Sequence, residues 1–387
     1  MRPLLIGALF LACSLLAGSR AIADQLYWNS GNAIHRTDLA GGDVQDLTQT
    51  NQTNGIALDP TGNRMFWTGE LLTVPPGYTG VIRMSALDGS GGIAVLPNIP
   101  TPIGIALDVP HGKMYWTAAD NAVRRANLDG TLVEQLIKEV SIAQLSGIAL
   151  DLVNDRLYFS YVNPLIDSVV PGGIASANLD GSGFQAVVNG LVNPQGVALD
   201  VAGGHLYWAD GAQIQSADFA GQNLKNLVTG LSQPFGVALD LSDRNIFWTD
   251  PSSGKIQTAP FAGGAASDVL SMLANPTAIA ILSVPILGDA NGDGSVDFTD
   301  LGILLNNYDQ PGTFASGDFN NSGTVDFTDL GILLNNYNQP VPELATAAPV
   351  PEPSSLLLGC VCAIGLVVAL RRKCARGLEV GRVACCR

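Results

Sequence analysis

Gly55-Ile56-Ala57-Leu58-Asp59 returns as Gly104-Ile105-Ala106-Leu107-Asp108, Gly147-Ile148-Ala149-Leu150-Asp151, Gly196-Val197-Ala198-Leu199-Asp200 and Gly236-Val237-Ala238-Leu239-Asp240. After a short turn each copy meets an aromatic pair: Phe66-Trp67, Tyr115-Trp116, Tyr158-Phe159, Tyr207-Trp208 or Phe247-Trp248. A third element then ends in a tight turn, Leu87-Asp88-Gly89, Leu128-Asp129-Gly130 or Leu179-Asp180-Gly181, with Phe219-Ala220-Gly221 and Phe261-Ala262-Gly263 as variants. A fourth short apolar stretch completes the unit. Four short strands per unit of about 40–50 residues, joined by Gly and Asp turns, describe a blade of a β-propeller. The alternation in Ile56-Ala57-Leu58 is a strand's period of two, and its small alanine suits a crowded inner wall.

The two ends of this region explain closure. It opens on a second-strand motif, Leu26-Tyr27-Trp28-Asn29, and ends on an unpaired first strand, Thr277-Ala278-Ile279-Ala280-Ile281. Pairing them makes a sixth blade, so the expected fold is an all-β six-bladed propeller over residues 24–285. The aromatic pairs are expected to pack between blades. With Phe247-Trp248-Thr249-Asp250 and Tyr207-Trp208-Ala209-Asp210 as its fullest copies, the region resembles the YWTD, or LY-repeat, propeller of low-density-lipoprotein-receptor-type proteins. Phe66 to Gly69, Tyr115 to Ala118 and Tyr158 to Tyr161 depart from that motif at the closing aspartate.

Beyond residue 285 a second repeat begins. Asp289-Ala290-Asn291-Gly292-Asp293-Gly294-Ser295-Val296-Asp297-Phe298-Thr299-Asp300 is copied 29 residues later by the segment from Asp318 to Asp329. Calcium takes six to eight oxygens, and a twelve-residue loop supplies them from positions 1, 3, 5, 7, 9 and 12, with Gly at 6 for the sharp turn. The first set is Asp289, Asn291, Asp293, the Ser295 carbonyl, Asp297 and Asp300. The second is Asp318, Asn320, Ser322, the Thr324 carbonyl, Asp326 and Asp329. Two calcium ions are expected, the second held more weakly because Ser322 stands where the first loop has an acid. Each loop runs into a short amphipathic helix. Leu301, Leu304, Leu305 and Tyr308 share one face of the first, so the two helices can pack together once calcium orders the loops.

Asp at position 12 and the lack of a helix before either loop resemble the dockerin type I repeat, placing a small α-helical, dockerin-like module at residues 286–340. That resemblance implies a cohesin-type protein partner. Dockerin specificity lies in the residues just before position 12, here Phe298-Thr299 and Phe327-Thr328. The near identity of the two helices would allow binding in either orientation.

The chain ends frame these domains. Residues 1–23 carry Arg2, an apolar run and Ala21-Ile22-Ala23, the pattern of a cleaved secretory signal. Residues 341–355 form a linker containing Val350-Pro351-Glu352-Pro353. An apolar run over 356–370 reads as a transmembrane helix, and the basic tail at 371–387 is expected to stay cytoplasmic. These last three parts resemble the bacterial PEP-CTERM sorting signal, which implies an exosortase-type processing enzyme and a bacterial envelope or surface location with at least transient membrane anchoring. A permanent tail anchor is the alternative. Cysteine is absent from residues 24–349, so the exported region depends on its core, on calcium or on closed topology rather than on disulfides.

Residues 24–349 hold 11 Lys+Arg against 32 Asp+Glu, which makes nucleic acid an improbable partner. No nucleophile motif accompanies His35, His111 or His205, and the recurring aspartates fit a repeated turn role, so no catalytic residue is assigned. Two inserts, residues 70–80 and 162–173, lengthen second-to-third-strand connections. Their Leu71, Leu72 and Tyr78, with Tyr161, Leu165 and Ile166, are expected to give one propeller face apolar exposure for a ligand. The functional expectation is a cell-surface binding or assembly protein. The alternative is an enzyme or accessory of polysaccharide breakdown with the propeller as catalytic or carbohydrate-binding domain.

Overall fold

The computed structural model describes residues 24–50, 53–71, 79–138, 144–162, 172–283, 287–291, 296–320 and 322–337. Its strands form six antiparallel four-stranded sheets. Blade 2 is representative, with strands Thr53–Asp59, Arg64–Leu71, Thr79–Ala86 and Ile93–Pro100. Blades 3 to 6 follow in chain order, each beginning with its own Gly-apolar-Ala-Leu-Asp strand. Blade 1 is shared between the two ends of the region: Ile279–Leu282 pairs with Gln25–Ser30, followed by Ala33–Asp38 and Gln45–Gln49. The closure expected from the unpaired motifs is therefore present.

Antiparallel order fixes two faces. The second-to-third connections and the links to the next blade lie on one, here the upper face; the first-to-second and third-to-fourth turns lie on the other.

Packing follows the aromatic pairs. Trp28, Trp116, Trp208 and Trp248 are fully buried, as are Tyr27, Tyr115, Phe66 and Phe159. The clusters bridge blades: Phe66, Ile82 and Leu96 of blade 2 pack with Ile105, Met114 and Trp116 of blade 3. Each large ring removes on the order of 150–250 Å² from water, so the inter-blade seams carry much of the stability. Gly41 marks the last seam. Its φ is +83°, and a Cβ there would stand 2.6 Å from the Val269 carbonyl oxygen of blade 6, so only glycine lets the blade 1 turn seat on its neighbour.

The recurring aspartates are turn locks. Asp59, Asp108, Asp151, Asp200 and Asp240 each accept a hydrogen bond from the backbone N–H three residues on, at 2.7–3.1 Å. The closing aspartates of the two fullest motifs do a different job. Asp210 accepts from the Asn193 N–H (2.6 Å) and Asp250 from the Ser232 N–H (2.9 Å), so each fastens the chain entering its own blade.

A second device runs around the inner strands. The hydroxyl of Thr68 accepts the Gly55 N–H (2.9 Å) and donates to the Ile103 carbonyl of the next blade (2.7 Å). Thr117, Ser160 and Thr249 make the equivalent bridges to Ser146, Gln195 and Thr277. Blade 5 has Ala209 at this position, and there the Gly196 N–H reaches the Phe235 carbonyl directly at 2.8 Å. In blade 1, Asn29 Oδ1 takes the Ala278 N–H (2.6 Å) and the Thr277 hydroxyl reaches the Thr53 carbonyl (2.6 Å), completing the circle.

Acid should weaken this propeller. Burial works to raise the Asp59 carboxyl, but the Gly62 N–H, the Thr61 hydroxyl and Arg64 together hold it below the ordinary carboxylate range. The Arg124 fork does the same to Asp120. A folded value below the unfolded one adds stability that is present above the unfolded value, about pH 4, and lost as pH falls through the folded one. Thermal melts from about pH 7 down to about pH 2 should show a plateau, then a falling midpoint below about pH 4. In Arg64→Met the fall should be shallower.

Following the ring, two loop–helix units contain helices α1 (Phe298–Asn306) and α2 (Phe327–Asn336). Leu301, Leu304, Leu330 and Leu333 are buried between them, with Leu305 and Tyr308 half-buried. Among the described residues no helix is long and apolar enough to cross a membrane. The secretory signal, the linker with Val350 to Pro353, the apolar run and the basic tail lie outside the described residues.

Candidate functional site

Where both are described, the two loops are near copies in structure. In the second, Asp329 at position 12 is fully buried; its Oδ1 accepts the N–H groups of Phe319 (2.9 Å) and Asn320 (3.1 Å), and its Oδ2 that of Asp326 (2.8 Å). In the first, buried Asp300 takes Ala290 (2.8 Å) and Asn291 (3.2 Å) on Oδ1 and Asp297 (2.8 Å) on Oδ2. Position 12 therefore ties the loop's start to the helix that follows. Asp297 and Asp326 reciprocate by capping their helices on the Thr299 and Thr328 N–H groups, which completes a capping box in each unit.

Position 1 closes the loop's middle. Asp318, also buried, accepts from the Ser322 N–H (3.0 Å) and the Gly323 N–H (2.7 Å), while Asn320 Oδ1 also accepts from Ser322 (2.9 Å). Gly323 at position 6 has a φ of +87°, the turn for which a glycine is needed. Val325 at position 8 is buried and pairs with the strand-like segment after α1, through Asp309 N–H to Val325 O (2.8 Å) and Val325 N–H to Gln310 O (3.0 Å).

Of the sequence-derived ligands, Asp289, Asn291, Asp297 and Asp300 are described in the first loop; Asp293 and Ser295 lie outside the described residues. All six of the second, Asp318, Asn320, Ser322, Thr324, Asp326 and Asp329, are described. Among the described residues no three His, Cys, Asp or Glu side chains are grouped closely enough to enclose an ion by themselves. The second loop's candidate donors are in fact mixed, with an amide, a hydroxyl and a carbonyl between its acids. Charge sets the requirement. Asp289, Asp300, Asp318 and Asp329 are all buried, and the sequence has no Lys, Arg or His between Lys255 and Arg371. Buried carboxylates need compensation, and backbone N–H groups supply only part of it. The donor set and the glycine turn fit a divalent oxygen-seeking cation.

The helices present a second feature. Phe298 and Phe327, the first residue of each, are 73% and 74% exposed, whereas Val296, Phe319, Val325 and the inward leucines are buried.

On the propeller, the expected apolar loop cluster is mostly outside the described residues: Leu72, Tyr78, Leu165 and Ile166 fall there, and of Leu71 the backbone lies in a strand. Tyr161 differs from the expectation. Its strand runs on to Val162, and the alternation turns the ring inward, where it is 6% exposed, packs against Leu145 and Phe159 and donates to Asn189 Oδ1 at 3.1 Å. A Cβ on Gly173 opposite would sit 2.6 Å from the Tyr161 hydroxyl, so the absent side chain there makes room for the ring.

The histidines belong to turns and edges. His111 Nδ1 lies 2.8 Å from Asp108 and His205 Nδ1 lies 2.6 Å from the Gly203 carbonyl, while His35 stacks on Trp28. What the sequence reading missed is the ring of residues preceding the inner glycines, Asn54, Ile103, Ser146, Gln195 and Phe235, joined in blade 1 by Thr277 before Ala278. In blades 2 to 5 the ladder between the first two strands is offset at this position, as between Thr53 and Ile56. The six residues stand at the upper mouth of the channel. The fixed place of the first five before the repeated glycine was visible in the sequence.

Comparison with known proteins agrees with the fold. Residues 349–373 match the PEP-CTERM protein-sorting motif, which indicates export to the bacterial cell envelope or surface. The chain is 28% identical over 202 residues to the cueball protein of Drosophila grimshawi, covering 49% of this chain and 30% of that one. It is 30% identical over 172 residues to the Drosophila erecta protein of the same name, covering 42% and 24%. The match thus spans under a third of those relatives' length. A solved nidogen/laminin complex contains a chain that superposes with a TM-score of 0.58 at 20% identity, over 67% of this chain and 98% of that one. TolB from Acinetobacter baumannii superposes at 0.53 with 8% identity, over 66% of each chain. These likenesses show the fold.

Proposed function

We propose that the chain is an exported surface protein for binding and assembly, in which a calcium-ordered, dockerin-like module docks a protein partner and the propeller serves as the ligand platform. One observation carries the calcium reading: the buried carboxylates of Asp300, Asp318 and Asp329 stand in a segment without a single basic side chain. The group would be held by the twelve loop residues named above, and it would bring positive charge to their buried carboxylates. Calorimetric titration of the full chain with calcium should show two sites, the second weaker for want of an acid at Ser322. A chain that takes up no calcium would end this reading.

Phe298 and Phe327 support a protein partner. An exposed aromatic side chain fixed on the first turn of a capped helix offers a large anchor with little entropy to lose. Their equivalence predicts redundancy. With the full chain immobilised in calcium, either Phe298→Ala or Phe327→Ala alone should leave capture of a cohesin-type or other envelope partner within about threefold, whereas the double substitution should lower it by about a hundredfold. Equal and additive losses would argue for one fixed orientation. An exosortase-type enzyme is proposed as the processing partner at the Pro351-Glu352-Pro353 motif.

A further inference from the structure

One position on the third strand of each blade differs in the blade that closes the ring. Opposite Trp28, Trp67, Trp116, Phe159, Trp208 and Trp248 stand His35, Arg83, Arg124, Ala175, Gln215 and Gln257. In blades 5 and 6 the glutamine ties this strand to the outermost one, Gln215 Nε2 to Asn226 Oδ1 and Gln257 Nε2 to Asp268 Oδ1, each at 2.7 Å. Blade 1 makes the same tie with a histidine, whose Nδ1 lies 2.7 Å from Asp46 Oδ1. A carboxamide keeps its donors at every pH, whereas a neutral imidazole has one.

The second ring nitrogen meets an acceptor too. His35 Nε2 lies 3.3 Å from the Ser30 carbonyl oxygen, and a carbonyl, like a carboxylate, can only accept. Both contacts are hydrogen bonds only when both nitrogens carry protons, so the imidazolium is the form that fits. Stacking on Trp28, with 5.3 Å between centroids, holds the ring in place. Among the described residues Asp46 is the charged side chain within ion-pair distance. Arg36, next along the strand, turns the other way to Tyr27 and Gln45. Residues 271–278 bring no charge, and across the seam blade 6 carries Asp250, held by the Ser232 and Ser253 N–H groups, with Lys255 and Asp268 paired to each other at 2.7 Å. Ser30 itself belongs to the clasp that closes the ring. Its hydroxyl accepts the Ala274 N–H (2.9 Å), the Gly31 N–H reaches the Ala274 carbonyl (2.5 Å), and Asn29 Oδ1 takes the N–H groups of Thr277 (3.0 Å) and Ala278.

We propose that His35 is a proton-dependent latch on ring closure. As an imidazolium it ties the outermost strand of blade 1 and the clasp at Ser30 together, and on losing its proton it must release one of them. The double tie is present while the ring is protonated and is lost as pH rises through the range in which histidine side chains discharge, about pH 5–8. The ring is therefore firmest in mildly acidic surroundings. This window lies above the carboxylate transition expected below about pH 4, and the latch is independent of the calcium module.

The test is hydrogen exchange of the full chain, read by mass spectrometry over residues 25–38 and 274–282 at about pH 5.5 and about pH 8 and corrected for the intrinsic rate at each pH. Relative to the first strands of blades 3 and 4, these segments should open about fivefold more at the higher pH, the effect of one charge-assisted hydrogen bond at a partly exposed site. His35→Gln, which installs the tie already used in blades 5 and 6, should remove the difference without unfolding the blade. Asp46→Ala should remove it as well, because a neutral ring protonated on Nε2 then satisfies Ser30 by itself. His111→Gln and His205→Gln, on the lower turns, should keep it. Equal or greater protection at the higher pH in the wild type, a difference that survives in His35→Gln or Asp46→Ala, or its loss in the lower-turn variants would each overturn the proposal.

Discussion

Asp329→Ala is expected to unfold the second loop–helix unit while leaving the propeller's melting transition in place. The buried carboxylate accepts three backbone N–H groups, and an unpaired buried donor costs about 1–3 kcal/mol. Allowing for relaxation and entry of water, the loss is on the order of 3–5 kcal/mol. A module of this size has little core to absorb that. Leu330 and Leu333 would then lose their seat against α1, so helix should disappear from the far-ultraviolet circular dichroism of the module. On the calcium reading proposed above, a chelator added to the wild type should act in the same direction, because it would leave the buried carboxylates of Asp300, Asp318 and Asp329 without the cation's charge. Asp329→Asn separates the two contributions. It keeps one carbonyl acceptor at the loop's start but loses the charge, so calcium binding at that site should fall further than helix content does. The expectation fails if Asp329→Ala and wild type show the same helix content with and without chelator.

The legibility of this chain was uneven, and the reasons are physical. A strand repeat with aromatic pairs is local information, and inter-blade packing follows because large rings beside a period-two pattern have nowhere else to be buried. Asp59 and its equivalents were readable as turn residues for the same cause, since an aspartate accepts from an N–H three residues away on its own chain. The bridge made by Thr68 was not readable. Its acceptor, the Ile103 carbonyl, belongs to the next blade, and only the assembled ring brings the two within 2.7 Å. Tyr161 failed in the opposite way. Proximity to an insert suggested exposure, but strand alternation decides where a side chain points, and the strand extended through it. In the loop–helix units the spacing announced the candidate ligands, while the three backbone N–H groups that Asp300 and Asp329 each accept had to be seen.

Thr117→Val should cost the propeller more than its single lost hydroxyl suggests. The Thr117 Oγ1 accepts the Gly104 N–H at 2.9 Å and donates to the Ser146 carbonyl, with Thr117 itself wholly buried. Valine fills the same volume and leaves one donor and one acceptor without partners at a dry seam, about 2–4 kcal/mol in total. Gly104→Ala attacks the same seam sterically. Its Cβ would lie 2.8 Å from the Ser146 carbonyl oxygen and 3.0 Å from the Ile148 nitrogen, both backbone, so the inner strands of blades 3 and 4 would have to part. Overpacking of this kind costs about 1–3 kcal/mol, and more where rigid backbone is the obstacle. Blade 5 provides the internal control. Ala209 already lacks the hydroxyl, and the Gly196 N–H meets the Phe235 carbonyl without it, so Ala209→Val removes no hydrogen bond and tests packing alone. Urea unfolding should therefore rank Thr117→Val as clearly destabilising relative to Thr117→Ser, which restores the bridge. If Thr117→Ser and Thr117→Val unfold at the same urea concentration, the hydroxyl is a passenger and the seams rest on aromatic packing alone.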